Sequence, residues 1–252
     1  MWSRRTARLP LVPAACATPY HRRVAPEPYD ADVVELLALV ASLEDHAFAR
    51  CAADAQGAPT AEQRFARSRL AASAVSRRDR VLDRLAALSD DPAAPTAPFD
   101  QVLDDLDART QPTTWTERLL QGYVGYGVCD DLCRLAARGA EPRSQDLVLD
   151  VLDGDDHEPA VVALSDACAH DATLASRLAL WGRRVAGESL QTVSRLLESR
   201  PGLARLAVRG LLATQEGLDA PSDATLELPP AKVLNELTAE HTRRMSRLGL
   251  TA

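Results

Sequence analysis

The stretch LAASAVSRRDRVLDRLAAL, residues 70–88, decides the fold class. Its Leu70, Ala74, Arg77, Val81, Leu85 and Leu88 recur at intervals of three and four, the spacing of one face of an α-helix. Five of these six side chains suit a core, and Arg77 does not. An arginine on the inward face of a bundle helix needs a partner for its charge.

The same period runs outward in both directions. Residues 31–56 predict a helix that runs out at Gly57, and Thr60 then caps the second helix ahead of Glu62 and Gln63. SDDPAAPTAP (89–98) reads as a linker, and a short helix over 99–108 stops before Gln111 and Pro112. Thr113 or Thr114 caps a long helix from Trp115 to about Arg138, GAEPR turns the chain, and a fourth major helix begins near Ser144. A fifth covers 171–199 and ends at Pro201-Gly202. A shorter one follows, then the loop LDAPSDATLELPP (218–230) and a last helix over 231–247. No strand pattern and no repeat of 30 to 40 residues stands out, so the expected fold is an all-α bundle with additional C-terminal helices.

Composition agrees. The 252 residues are enough for one large domain, aromatics make up only 4%, and alanine, leucine and arginine dominate. The net charge of −7 excludes the overall basic character of a dedicated nucleic-acid binder. Lys232 is the sole lysine, so nearly all positive charge sits on arginine, the cation better suited to buried pairing. Cysteines 16, 51, 129, 133 and 168 are odd in number, and most fall in predicted helices. They are expected to be reduced packing residues of a cytoplasmic protein. No apolar run reaches the length of a bilayer span. Residues 1–28 carry five arginines, one acid and five prolines. They read as a disordered basic arm or a start placed too far upstream, ahead of a bundle domain over 29–252.

Each long helix also turns a polar residue inward. In the first, Glu44 shares a face with Val33, Leu37, Val40, Ala47 and Cys51. In the third, Tyr126 aligns with Leu119, Tyr123, Cys129 or Asp130, and Cys133. In the fourth, His157 aligns with Gly154, Val161, Leu164 and Cys168. With Arg77 these make four inward polar groups, one per helix.

Inward carboxylates and histidines in a four-helix bundle are the signature of ferritin-like di-iron proteins. The stretches PTTWTERLLQGYVGYGV, LASRLALWGRRVAGESLQ and LTAEHTRRMSRLGL resemble the bacterial ferritin-like family related to tRNA 2-methylthio-isopentenyladenosine hydroxylase, a likeness covering about residues 31–250. The resemblance implies a ferritin-like four-helix bundle and six metal-ligand positions. The family's first glutamate falls on Glu44. Its second-helix Glu-x-x-His falls on Ala74 and Arg77, its third-helix acid on Tyr126, and its fourth-helix pair on Gly154 and His157. Alanine and glycine carry no donor, and a guanidinium stays protonated. Glu44 and His157 alone cannot balance or coordinate two iron ions.

The expected function is therefore a scaffold or binding protein that has lost its di-iron site, binds no metal or nucleotide cofactor, and meets a protein or RNA partner. Arg77 is expected to hold Glu44 in a buried pair. The alternative is an active non-haem di-iron monooxygenase, with two iron ions, that hydroxylates a modified tRNA adenosine. It needs Asp130 or Asp131, Asp153 and Glu188 as ligands. A third reading makes Cys129, Cys133 and His157 a zinc or redox site.

Among lesser features, Pro159 and Gly154 predict a break beside His157, with Asp155 or Asp156 capping the restart. Arg184 and Glu188 are spaced for an intrahelical pair, and the resemblance gives them a supporting place beside the metal site. The doublets Arg183-Arg184 and Arg243-Arg244 read as solvated faces.

Overall fold

The computed structural model describes residues 28–154, 157–214 and 230–252. The expected arm apart from Pro28, the loop after α9 apart from its last proline, and Asp155 and Asp156 lie outside the described residues, as do Cys16 and His21. Among the described residues the elements are helical: α1 (Pro28–Gly57), α2 (Ala61–Ala86), α3 (Ala97–Arg109), α4 (Trp115–Leu120), a π-helical segment (Gln121–Tyr126), α5 (Gly127–Arg138), α6 (Pro142–Leu152), α7 (Glu158–His170), α8 (Ala172–Ser199), α9 (Pro201–Thr214) and α10 (Pro230–Arg247).

Helix starts follow local capping chemistry. The Thr60 hydroxyl accepts from the Gln63 N–H, and Asp171 accepts from the N–H groups of Thr173 and Leu174. Thr114 and Glu117 form a reciprocal capping box at α4. The predicted long helix over 115–138 does form, but the π-helical segment interrupts it. Such wide turns are rare and gather at functional sites.

The core has two parts. In α1 every residue from Leu36 to Glu44 is buried, because α2, α3, α5, α6 and α9 all pack around it. The single inward stripe predicted for α1 understates this: the helix is apolar nearly all round and sits at the centre. A second apolar cluster joins Leu119, Leu120, Ala160, Leu164, Leu178 and Met245, drawing α4, α7, α8 and α10 together. The backbones of α5 and α9 touch at Gly139 and Gly210, where a Cβ on either would strike the other helix's carbonyl chain.

The expected break near His157 is real: α6 ends at Leu152 and α7 starts at Glu158, with a proline in its first turn. It corrects the placement of two site residues. Gly154 is exposed, and His157 is the N-cap of α7 with its side chain 43% exposed, rather than a residue turned inward from a continuous helix. No helix among the described residues is long and apolar enough to cross a membrane.

Candidate functional site

A cavity of about 210 Å³ opens where the two apolar clusters meet, walled by α1, α2, the α4–π–α5 run and the α6–α7 bend. Glu44, Arg77, Tyr126, Gly154 and His157 all line it, so the structure gathers five of the six positions on which the sequence resemblance would place metal ligands. The sixth, Ala74, is fully buried but contributes no wall.

Glu44, 5% exposed, receives Arg77 from α2, with Nη2 2.9 Å from Oε2. Farther along α1 the Arg50 guanidinium lies 3.2 Å from the centroid of the Tyr126 ring. Burial pushes the Tyr126 phenol well above its ordinary range; Arg50 pulls it back and Asp107 pushes it further up. At the α7 end, His157 Nε2 sits 3.8 Å from Asp130 Oδ2, a contact longer than a hydrogen bond. Burial raises the Asp130 carboxyl, but His157, Arg134 and Arg244 outweigh it and hold the group below the usual carboxylate range. The Tyr123 ring stands 5.7 Å from the His157 ring and, with Asp130 and His157, also borders a second cavity of about 440 Å³ toward α10.

Five charged residues on the first cavity were missed from sequence: Arg50, Asp54, Arg67, Asp107 and Arg118. Two carried a usable signal. Asp54 continues the Glu44, Ala47, Cys51 stripe by one more turn, and Arg67 precedes Leu70, Ala74 and Arg77 on theirs. Asp54 is buried, and Arg118 Nη1 reaches it at 3.5 Å. Burial raises the Asp54 carboxyl, only partly countered by Arg67, Arg118 and Arg50.

Other expected groupings do not assemble. Glu188 pairs with Arg109 at 2.9 Å rather than with Arg184, which lies over Trp181, and neither Arg184 nor Glu188 lines the cavity. The alternative ligand acids Asp131 and Asp153 are held by arginines: Arg134 bridges the two at 3.2 and 3.0 Å, and Arg244 reaches Asp131 at 2.8 Å. Arg244 is thus a half-buried structural cation, not part of a solvated doublet, while Arg243 pairs with Glu236 and Glu240. Cys129 and Cys133 are buried free thiols. Burial, reinforced by Asp130, pushes Cys129 up to about 12 and raises Cys133 as well, which disfavours the thiolate that zinc or redox exchange requires. Among the described residues no group of three or more His, Cys, Asp or Glu is placed to hold a metal ion.

A family model described as "Ferritin-like domain, actinomycetes" matches residues 27–210, from the start of α1 into α9. No curated protein matches the chain.

Proposed function

This chain belongs to the actinomycete ferritin-like domain family, and from that premise we propose that it is a non-catalytic binding protein in which the Arg77–Glu44 pair takes the place of a metal centre. The carrying observation is that pair. It puts a permanent cation on the carboxylate matched to a ligand, at the position where iron would need negative charge. The remaining donor set does not fit two irons. Ala74 and Gly154 have no donor atom, Tyr126 is held in its neutral form, and the nearby acids are engaged by arginines.

The same proposal derives the chain from relatives of the tRNA hydroxylase, on the three motif stretches quoted above. It treats residues 29–252 as one domain behind a basic arm, and places the protein in a reducing, cytosolic setting that keeps the thiols unpaired.

Elemental analysis of protein grown in iron-supplemented medium tests this. The expected content is far below one metal per chain. A count near two irons would restore the di-iron monooxygenase acting on a modified tRNA adenosine, and one zinc would favour the thiol site.

A further inference from the structure

The α1–α4 end of the cavity gathers more guanidinium than the fold consumes. Arg50, Arg67 and Arg118 all stand close enough to the Asp54 carboxylate to act on it, and Asp107 is the other acid at this end. Three cations therefore face two anions. The cavity's remaining charges balance elsewhere: Glu44 against Arg77, and Asp130 against Arg134 and Arg244 behind it.

Hydrogen-bonding capacity is left over too. A guanidinium carries five N–H donors. Arg50 Nη1 is buried with no hydrogen-bond partner, although the side chain is fixed against Tyr126. Arg67 makes no ion pair or hydrogen bond among the described residues; its contact is with the Trp115 ring at 5.9 Å. Arg118 has a single long contact to Asp54. Asp107 is already accepting from Gln121 Nε2 at 3.2 Å. The buried Arg50 donor without an acceptor is costly, whereas Arg118 is 44% exposed and Arg67 partly exposed; the planar guanidinium forks of all three match the oxygens of carboxylates and phosphates.

We propose that this cavity is the binding site for a small oxyanion, a carboxylate or phosphate group held between Arg50, Arg67 and Arg118, whose organic remainder extends along Leu43, Leu119 and Tyr123. The site rests on the binding-protein reading above and names the class of ligand. Charge balance and donor satisfaction both improve when one such group enters, and the cavity is large enough for a small metabolite.

The test uses the full chain with inorganic phosphate and benzoate as separate probes, titrated by calorimetry against sodium chloride of matched ionic strength. Iron content is measured on the same preparation. Binding of either probe is expected, weakened at least tenfold by Arg67→Gln, a partly exposed position without an ion pair, and similarly by Arg50→Gln. Should Arg50→Gln fail to fold, Arg67→Gln decides alone. A phosphate response identifies a phosphate ligand, and a benzoate response alone a carboxylate. If neither probe binds above chloride, or if binding is unchanged by the variants, the oxyanion site is wrong even in iron-free protein. An iron-loaded preparation would instead sink the reading beneath it.

Discussion

Arg77 and Glu44 show how much one pair can carry. Removing one member of a buried ion pair leaves the other charge desolvated, typically costing about 3–5 kcal/mol. Arg77→Ala is therefore expected to destabilise the protein by about that amount in denaturant titration, and adding Glu44→Leu should recover more than half of the loss. A double variant as unstable as the single would argue against a shared role. His241 makes a second prediction at this scale. It is 5% exposed, and burial followed by the charge of Arg244 lowers its pKa below 6.5. The unfolded chain then binds a proton that the folded chain refuses, so stability should fall as pH drops below about 6.5. His241→Gln should flatten that slope in melts taken between pH 7 and pH 5. Glu44 and Arg77 were legible in the sequence because each breaks an otherwise apolar stripe. Arg50 was not, since it stands off the Glu44 stripe and reaches Tyr126 only through its long stem.

Elements were legible where chemistry is local. Thr60 and Thr114 mark helix starts in the sequence, and Asp171 does so in the structure, because a side-chain oxygen satisfies N–H groups two or three residues on; Thr114→Ala should cost about 1 kcal/mol in thermal unfolding. The π-helical segment left no such mark. It is held from outside, by α8 packed so closely that a Cβ on Gly125 would meet Val185 Cγ1 at 2.5 Å. The same kind of tertiary demand fixes Gly210. A methyl there would collide with backbone of α5, which cannot rotate away as a side chain could. Gly210→Ala should gain about 1 kcal/mol of helix propensity yet still lose stability by about 2 kcal/mol net, measured in urea. A neutral or stabilising outcome would mean that α5 and α9 separate easily. Gly187, where a Cβ would meet nothing within 4 Å, supplies the control.

For the molecule as a whole, an internal ion pair predicts indifference to metal. Dialysis against a chelator should leave the melting temperature unchanged, and added ferrous iron should not raise it, whereas a ligand that binds only the folded state would shift it. The all-α class was plain from the recurrence of threes and fours, but its arrangement was not. A periodicity argument picks out one apolar face and is silent about a helix that is oily on every side, so the central place of α1 emerged only from its neighbours. That place has a consequence during synthesis. The run Leu36–Leu43 leaves the ribosome early, yet part of its cover is α9, which begins at Pro201. At about 5–20 residues per second, on the order of 10 to 30 s separate the two. The nascent chain thus leaves the α9-facing side of this segment uncovered through most of translation, where chaperones that recognise apolar surface would be expected to crosslink.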